Sequence, residues 1–284
     1  MSTTSRRTFL KASAAAAAIA SVAPGHLSAA PLALPIGLQL YSVRDLLPKD
    51  FEGTLHKLAA LGYTEVEAAG YYNRTAKEFR YAMKEAGLRC TSTHHSLADL
   101  TAHLDEFIEY GHHLGLSYIV CPWASRPGNN GALTLDDWRW VAGELNRIGE
   151  KVKAAGMVFG YHNHTREFAN VKNITIYDEL LRLTDPNFVV FEMDCGWVFA
   201  AGYNPIQYLK KSPERFPLLH VKDMARNAKG EFDSTVLGQG TMDYAPILRA
   251  ATGLKHYYIE QEEFTIDPME ALRMDADYMR KLNL

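Results

Sequence analysis

Leu114-Gly115-Leu116-Ser117-Tyr118-Ile119-Val120-Cys121-Pro122 and, further along, Ala155-Gly156-Met157-Val158-Phe159-Gly160-Tyr161-His162 follow one plan. A glycine closes a helix, a short apolar run follows, and polar residues stand at its exit. Glycine accepts the left-handed conformation that ends helices. An apolar run of this length between turn residues reads as a buried strand. Residues 134–155 carry helical spacing, so the stretch is one strand–helix–strand unit. Leu61-Gly62-Tyr63 and Ala86-Gly87-Leu88 repeat the helix-closing glycine upstream.

Working outward, strands are predicted at 36–41, 64–67, 88–94, 118–122, 157–162, 188–194, 217–222 and 257–260. Helical patterns fall near 50–61, 75–86, 99–114, 134–155, 173–184, 204–211, 242–251 and 268–281. Eight strand–helix units in strict alternation imply a parallel sheet closed on itself, the (β/α)8 TIM barrel, as a single α/β domain. The competing open doubly wound sheet lacks its signature, since no Gly-x-Gly-x-x-Gly follows an early strand. The expected organisation is a leader over 1–30 and a barrel over 31–284, close to the ~250 residues of such a domain.

Composition sets the class. The chain has 284 residues, 47% hydrophobic and 22% charged, which excludes disordered and collagen-like proteins. Arg6, Arg7 and Lys11 fall in the leader, which has no Asp or Glu. The remainder holds 27 basic against 33 acidic residues, a net −6 that argues against a nucleic-acid surface. Ser5-Arg6-Arg7-Thr8-Phe9-Leu10-Lys11 precedes an Ala-rich stretch and resembles a twin-arginine export signal, too short to span a membrane. The reading is therefore a periplasmic or secreted protein, exported folded by the twin-arginine machinery, with no stable membrane span. That route often serves proteins loaded with metal in the cytoplasm. Cys90, Cys121 and Cys195, odd in number and widely spaced, read as buried free thiols.

In such a barrel the chemistry belongs at the C-terminal ends of the strands. Strands five to eight end in His162, Asp194, His220 and Glu260. Imidazole and carboxylate suit Mn²⁺, Co²⁺, Zn²⁺, Fe²⁺ or Mg²⁺, and four donors from successive strands can converge on one ion. Any one of them alone is as well explained by a cap or a satisfied buried polar group. Gln39, Tyr41, Glu67, His94 and Trp123 lie at strand exits where a sugar would be bonded or stacked, with packing an equal account. Lys222 shares a face with His220 and joins the substrate contacts; Glu192 shares one with Asp194, as support or as an inner-layer residue. His95, one residue past His94, points the opposite way if the strand continues.

Gly37-Leu38-Gln39-Leu40-Tyr41-Ser42, Gly62-Tyr63-Thr64-Glu65-Val66-Glu67, Tyr161-His162-Asn163-His164, Met193-Asp194, Leu219-His220-Val221-Lys222-Asp223 and Gly238-Gln239-Gly240-Thr241-Met242-Asp243 together resemble the sugar phosphate isomerase/epimerase family of xylose isomerase-like barrels. The resemblance implies one divalent metal held by Glu, Asp, His and Glu from strands five to eight. Asp194, His220 and Glu260 match the last three positions, and His162 stands where relatives often carry Glu. Glu167 is the alternative source of that carboxylate. Trp197 stands where many epimerases carry His.

The same resemblance implies proton transfer beside a carbonyl, through an enediolate. With His162 at the first position, the transfer groups are His164, Glu167 and Glu260. Returning the proton isomerises or epimerises the sugar; expelling a β-substituent makes the enzyme a lyase, dehydratase or hydratase on 3-keto-sugars or glycosides. The Gly238–Gly240 loop could present amides to a phosphate, but few basic residues accompany it, so an unphosphorylated sugar or keto-sugar is expected. Metal-dependent phosphodiester cleavage fits neither Trp197 nor the negative charge. A non-catalytic periplasmic sugar-binding protein is the alternative of another class, and the oligomeric state stays open.

Overall fold

The apolar runs pair as eight parallel strands: β1 (Gly37–Gln39), β2 (Glu65–Ala68), β3 (Arg89–His94), β4 (Tyr118–Cys121), β5 (Val158–His162), β6 (Val189–Asp194), β7 (Leu218–Val221) and β8 (His256–Ile259). They close into a barrel in which β1 pairs with both β2 and β8. The computed structural model describes residues 34–129 and 131–284. The expected leader, with its paired arginines, lies outside the described residues.

Parallel neighbours need a crossover, and helices supply it. They are α1 (Phe51–Ala60), α2 (Ala76–Ala86), α3 (Leu97–Leu114), α4 (Leu135–Ala154), α5 (Ile176–Leu183), α6 (Cys195–Ala200), α7 (Pro205–Lys211), α8 (Tyr244–Ala250) and α9 (Pro268–Lys281). Thr75 and Thr134 start α2 and α4 with reciprocal capping boxes. Gly87 and Gly115 close α2 and α3 at φ 75° and 76°, the left-handed role their spacing predicted. None of the described helices is long and apolar enough to cross a membrane.

The outward faces of the strands, including Leu38, Val66, Ile119, Phe159, Phe191, Leu219 and Ile259, pack under the helices in one core. Inside the barrel a small apolar plug of Tyr118, Val120, Leu218 and Tyr258 fills the middle. Below it Glu65 pairs with Arg89 and with His256 at 2.8 Å. Above it the interior turns polar, which sets this barrel apart from one filled by layers of branched aliphatics.

Three local features depart from simple alternation. Strand β1 stops at Gln39, whose side chain accepts from the Tyr41 amide at 3.0 Å and turns the chain into a 3-10 helix at Leu40–Val43. Short hairpins, Asn170–Val171 with Ile174–Thr175 and Asp223–Arg226 with Phe232–Thr235, interrupt two strand exits. Between β2 and β3 the register slips: Val66 pairs with Cys90, but Glu67 pairs with Ser92. The bulge flips the side-chain parity of β3. Thr91 and Ser92 both reach inward, to Tyr258 and Glu67. His94 then faces the barrel, while His95 stacks on Phe107 outside it, with ring centroids 3.7 Å apart. Cys90, Cys121 and Cys195 are buried and free.

Candidate metal centre

Register builds the site. Paired residues of parallel neighbours share a face, and the pairs are Gln39 with Glu67, His162 with Glu192, and Asp194 with His220. Glu260 follows β8, its amide bonded to the Val221 carbonyl at 3.1 Å. One ligating atom from each of His162, Asp194, His220 and Glu260 lies within 4.8 Å of the others, and all four residues are buried. A second set, His94, His162, Glu192 and His220, meets the same distance limit.

The ring nitrogens distinguish the two sets. His162 Nδ1 lies 3.0 Å from Glu192 Oε2, leaving Nε2 turned toward Asp194 Oδ2 at 3.9 Å. His220 Nε2 lies 2.8 Å from Glu67 Oε1, and its Nδ1 faces Glu260 Oε2 at 2.9 Å and Asp194 Oδ2 at 3.9 Å. Each histidine thus gives one nitrogen to a carboxylate outside the first set and turns the other toward that set. A metal-bound histidine is ordinarily oriented in this way. In the second set the same nitrogens would have to abandon Glu192 and Glu67. The donor chemistry therefore fits a divalent ion at His162, Asp194, His220 and Glu260, with Glu192 and Glu67 orienting the imidazoles.

Local sequence explains the placement. Asn163 clamps the end of β6, donating to the Asp194 carbonyl and accepting from its amide, both at 3.2 Å. Asp194 Oδ1 accepts from the Trp197 amide at 2.9 Å and caps α6. Its Oδ2 faces the site, where it lies 2.8 Å from Lys222 Nζ. Gly196 allows α6 to close on β7, since a Cβ there would stand 2.7 Å from the Lys222 carbonyl oxygen.

Electrostatics follow from burial and facing charge. Burial would lower His94, but Glu67 and Glu192, at 2.9 and 2.7 Å, raise it to about 9 and make it a cation. Burial and the neighbouring His220 push His162 well below the ordinary histidine value. His220 goes the other way: burial is outweighed by Glu192 and Glu260. Lys222 is fully buried with Nζ 2.8 Å from Asp194, 2.9 Å from Glu260 and 2.6 Å from Glu262. Those three carboxylates hold it charged despite burial. Glu262, outside both ligand sets, gives Lys222 a partner of its own.

A cavity of about 590 Å³ opens above the centre, with Tyr41, His94, Trp123, His162, His164, Glu260 and Glu262 among its walls. His164 has a buried Nδ1 without a hydrogen-bond partner, and burial lowers its pKa, so it is a neutral base. Among the described residues no lysine or arginine lines this cavity.

Several expected residues fall elsewhere. Glu167 does not reach the centre: its oxygens take the Tyr161 hydroxyl at 2.6 Å, Arg166 Nε at 3.0 Å and the His164 amide at 2.9 Å. Its role is to fix the loop that carries His164. Gln39, Glu67 and Lys222, expected to touch substrate, are not among the residues lining the cavity; Gln39 and Ser92 both donate to Glu67. The Gly238–Gly240 amides are not free for a phosphate, because Gly238 and Gly240 both donate to Asp223 Oδ2 at 2.9 Å. Glu262 and Ser92 escaped the sequence reading, since nothing in their spacing separates them from surface polar residues.

Residues 55–282 match the family model described as xylose isomerase-like TIM barrel. The chain is 25% identical to inosose dehydratase of Clostridium botulinum (strain Alaska E43 / Type E3), covering 87% of this chain and 95% of that protein. It is also 25% identical to inosose dehydratase of Geobacillus kaustophilus (strain HTA426), over 80% of this chain and 86% of the relative. Among solved structures it resembles a sugar phosphate isomerase/epimerase from Parabacteroides distasonis ATCC 8503, with TM-score 0.75, 29% identity, and 93% and 98% of the two chains covered. A closed parallel barrel whose strand exits gather imidazoles and carboxylates, and a family match over most of its length, lead to one conclusion: the chain belongs to the xylose isomerase-like TIM barrel family.

Proposed function

We propose that this chain is a divalent-metal-dependent sugar isomerase or epimerase acting on an unphosphorylated sugar or keto-sugar. The observation that carries it is that two proton acceptors line one cavity, His164 after β5 and Glu260 after β8, the latter itself one of the four residues of the centre. When bound, a divalent ion there polarises the substrate carbonyl and offsets the charge that develops on its oxygen. His164, kept neutral by burial, removes a proton from the carbon beside that carbonyl. Glu260, held anionic by Lys222 and His220 against its burial, is the second acceptor on the same cavity wall. Returning that proton from His164 to the neighbouring carbon isomerises the sugar. Epimerisation requires the second group to take a proton from water first and deliver it to the other face, while His164 releases the one it removed to water. The cavity wall without lysine or arginine and the occupied Gly238–Gly240 amides support a substrate without phosphate.

A second reading, a dehydratase or lyase on keto-sugars, is favoured by the curated relatives named inosose dehydratase. Both readings begin with the same proton abstraction. Metal content of the protein, beside that of an Asp194→Ala/His220→Ala double variant, tests the shared step. About one ion per chain, lost in the variant, is expected; no ion even after reconstitution leaves a sugar-binding barrel. Incubating a panel of ketohexoses and 3-keto-glycosides in D₂O then separates the outcomes. Deuterium entering an otherwise intact sugar supports isomerisation or epimerisation, and an unsaturated ketone with loss of water supports elimination. Export by the twin-arginine route belongs to the same proposal, resting on Arg6 and Arg7. An Arg6→Lys/Arg7→Lys variant retained in the cytoplasm supports it, and unchanged export refutes it.

A further inference from the structure

We infer that the outer half of the cavity is a subsite for a second sugar ring, so that the substrate is a glycoside and not a free monosaccharide. This rests on the reading above only in placing the reacting ring at His162, His164 and Glu260. Among the described residues the exposed Phe, Tyr and Trp side chains are Tyr41, Tyr81 and Trp123, and two of these three line this one cavity. Tyr41 is 43% exposed and Trp123 50%, in a protein that buries most other aromatics. Tyr41 follows β1 and Trp123 follows β4, whereas the metal-centre residues come from β5 to β8. The aromatic rings therefore flank the half of the mouth that the centre leaves open.

Both rings are braced. Arg44 places its guanidinium carbon 4.3 Å from the Tyr41 ring centroid, and is held there by the Tyr41 and Glu262 carbonyls, each at 2.9 Å. Arg166 sits 3.8 Å from the Trp123 centroid, held by Glu167 at 3.0 Å and the Ala124 carbonyl at 2.8 Å. A cation packed against a ring helps to fix it, and both rings stay about half exposed. Such a pre-set apolar face, next to polar groups, suits the C–H face of a pyranose at low ordering cost. Between the two rings the wall is low. Ala69 and Gly70 form part of it, and a Cβ added to Gly70 would meet nothing within 4 Å. Ser96 and Asp99, bonded to each other at 2.6 Å where α3 starts, also line this side. The volume, about 590 Å³, falls within the ~300–1,000 Å³ range of pockets for drug-sized ligands, as a two-ring substrate requires.

The test is calorimetric titration of the full chain with cellobiose, maltose, lactose and trehalose, each compared with methyl glucoside or methyl galactoside. At least one disaccharide should bind about tenfold more tightly than the methyl glycoside, the size of effect expected from aromatic stacking. Trp123→Ala and Tyr41→Ala should each bring that ratio toward one, Trp123→Phe should restore part of it, and Tyr81→Ala, outside the cavity, should leave it unchanged. No disaccharide preference, or a preference that survives both alanine variants, overturns the inference. Because the readout is a ratio of affinities without turnover, a protein that prefers a disaccharide but exchanges no proton would keep the subsite and refute the isomerase reading.

Discussion

Glu192→Gln tests which nitrogens face the ion. Glu192 is fully buried, and its Oε2 lies 3.0 Å from His162 Nδ1, 2.7 Å from His94 Nε2 and 3.2 Å from His220 Nε2. If it orients His162 from outside the ligand set, removing its charge while keeping its shape should weaken metal binding about 10- to 100-fold, or ~1.4–2.7 kcal/mol. The amide can still accept from one imidazole, which favours the smaller figure. Asp194→Asn removes a direct donor and should cost more. Glu167→Gln, in a network that includes no member of the centre, should cost nothing measurable in affinity. The assay is competition for Zn²⁺ or Mn²⁺ against a chromogenic chelator, on protein stripped and reloaded. A loss in Glu192→Gln equal to or greater than that in Asp194→Asn would move the ion to the His94, His162, Glu192 and His220 set and refute the argument from ring nitrogens. No loss would refute the orienting role.

Three further outcomes are expected. Asp223→Asn turns an amide toward backbone donors that now share a carboxylate, Met224, Gly238, Gly240 and Met242, at 2.8 to 2.9 Å; denaturant unfolding should show about 3 kcal/mol lost, and inorganic phosphate should not raise the wild-type midpoint. Burial holds His95 at about 3, below its ordinary 6.5, so its contribution is complete above pH 6.5 and is lost as pH falls toward 3. The stability difference between wild type and His95→Gln should therefore shrink from pH 6.5 to 4 by at most about 1.4 kcal/mol per unit, and a flat difference counts against the assignment. Gly196→Ala should cost roughly 1–3 kcal/mol by forcing α6 from the Lys222 backbone, read as a lower thermal midpoint; an unchanged midpoint would mean that α6 shifts freely.

The eight strands were legible because each is a short apolar run between a helix-closing glycine and a polar exit, as at Gly115 to Pro122. The strand-end histidines and carboxylates were legible for the same reason: in this architecture the exit of a strand is an address. What stayed hidden depends on contacts between distant segments. The short α6 forms because Asp194 caps it, and its sequence, Cys195–Ala200, is too brief to show a helical period. The hairpins at 170–175 and 223–235 are polar pairs of a few residues. Strict alternation through β3 from Cys90 would turn His95 into the barrel and His94 out. Only the bulge opposite Glu67 reverses this, and single-strand periodicity carries no trace of it. Glu167 illustrates the opposite failure: its proximity to the His-Asn-His run is real, but Tyr161 and Arg166 claim it first.

The polar interior is itself an argument about function. Glu67, Glu192, Asp194, Glu260 and Glu262 cluster where such a barrel ordinarily stacks branched aliphatics, and the first three are fully buried. Buried ion pairs seldom stabilise a fold more than well-packed apolar side chains of the same volume. Stability alone therefore gives no reason for five carboxylates here. His94 and Lys222 offset two of the charges, and without an ion His220 offsets a third by taking up a proton. A divalent ion that displaces the His220 proton brings the balance closer to neutral while leaving Glu67 and Glu192 as acceptors for the imidazoles. The arrangement makes electrostatic sense as a cradle for a dication, and the departures from apolar layering on β2, β6 and β7 mark the site more firmly than any single ligand does.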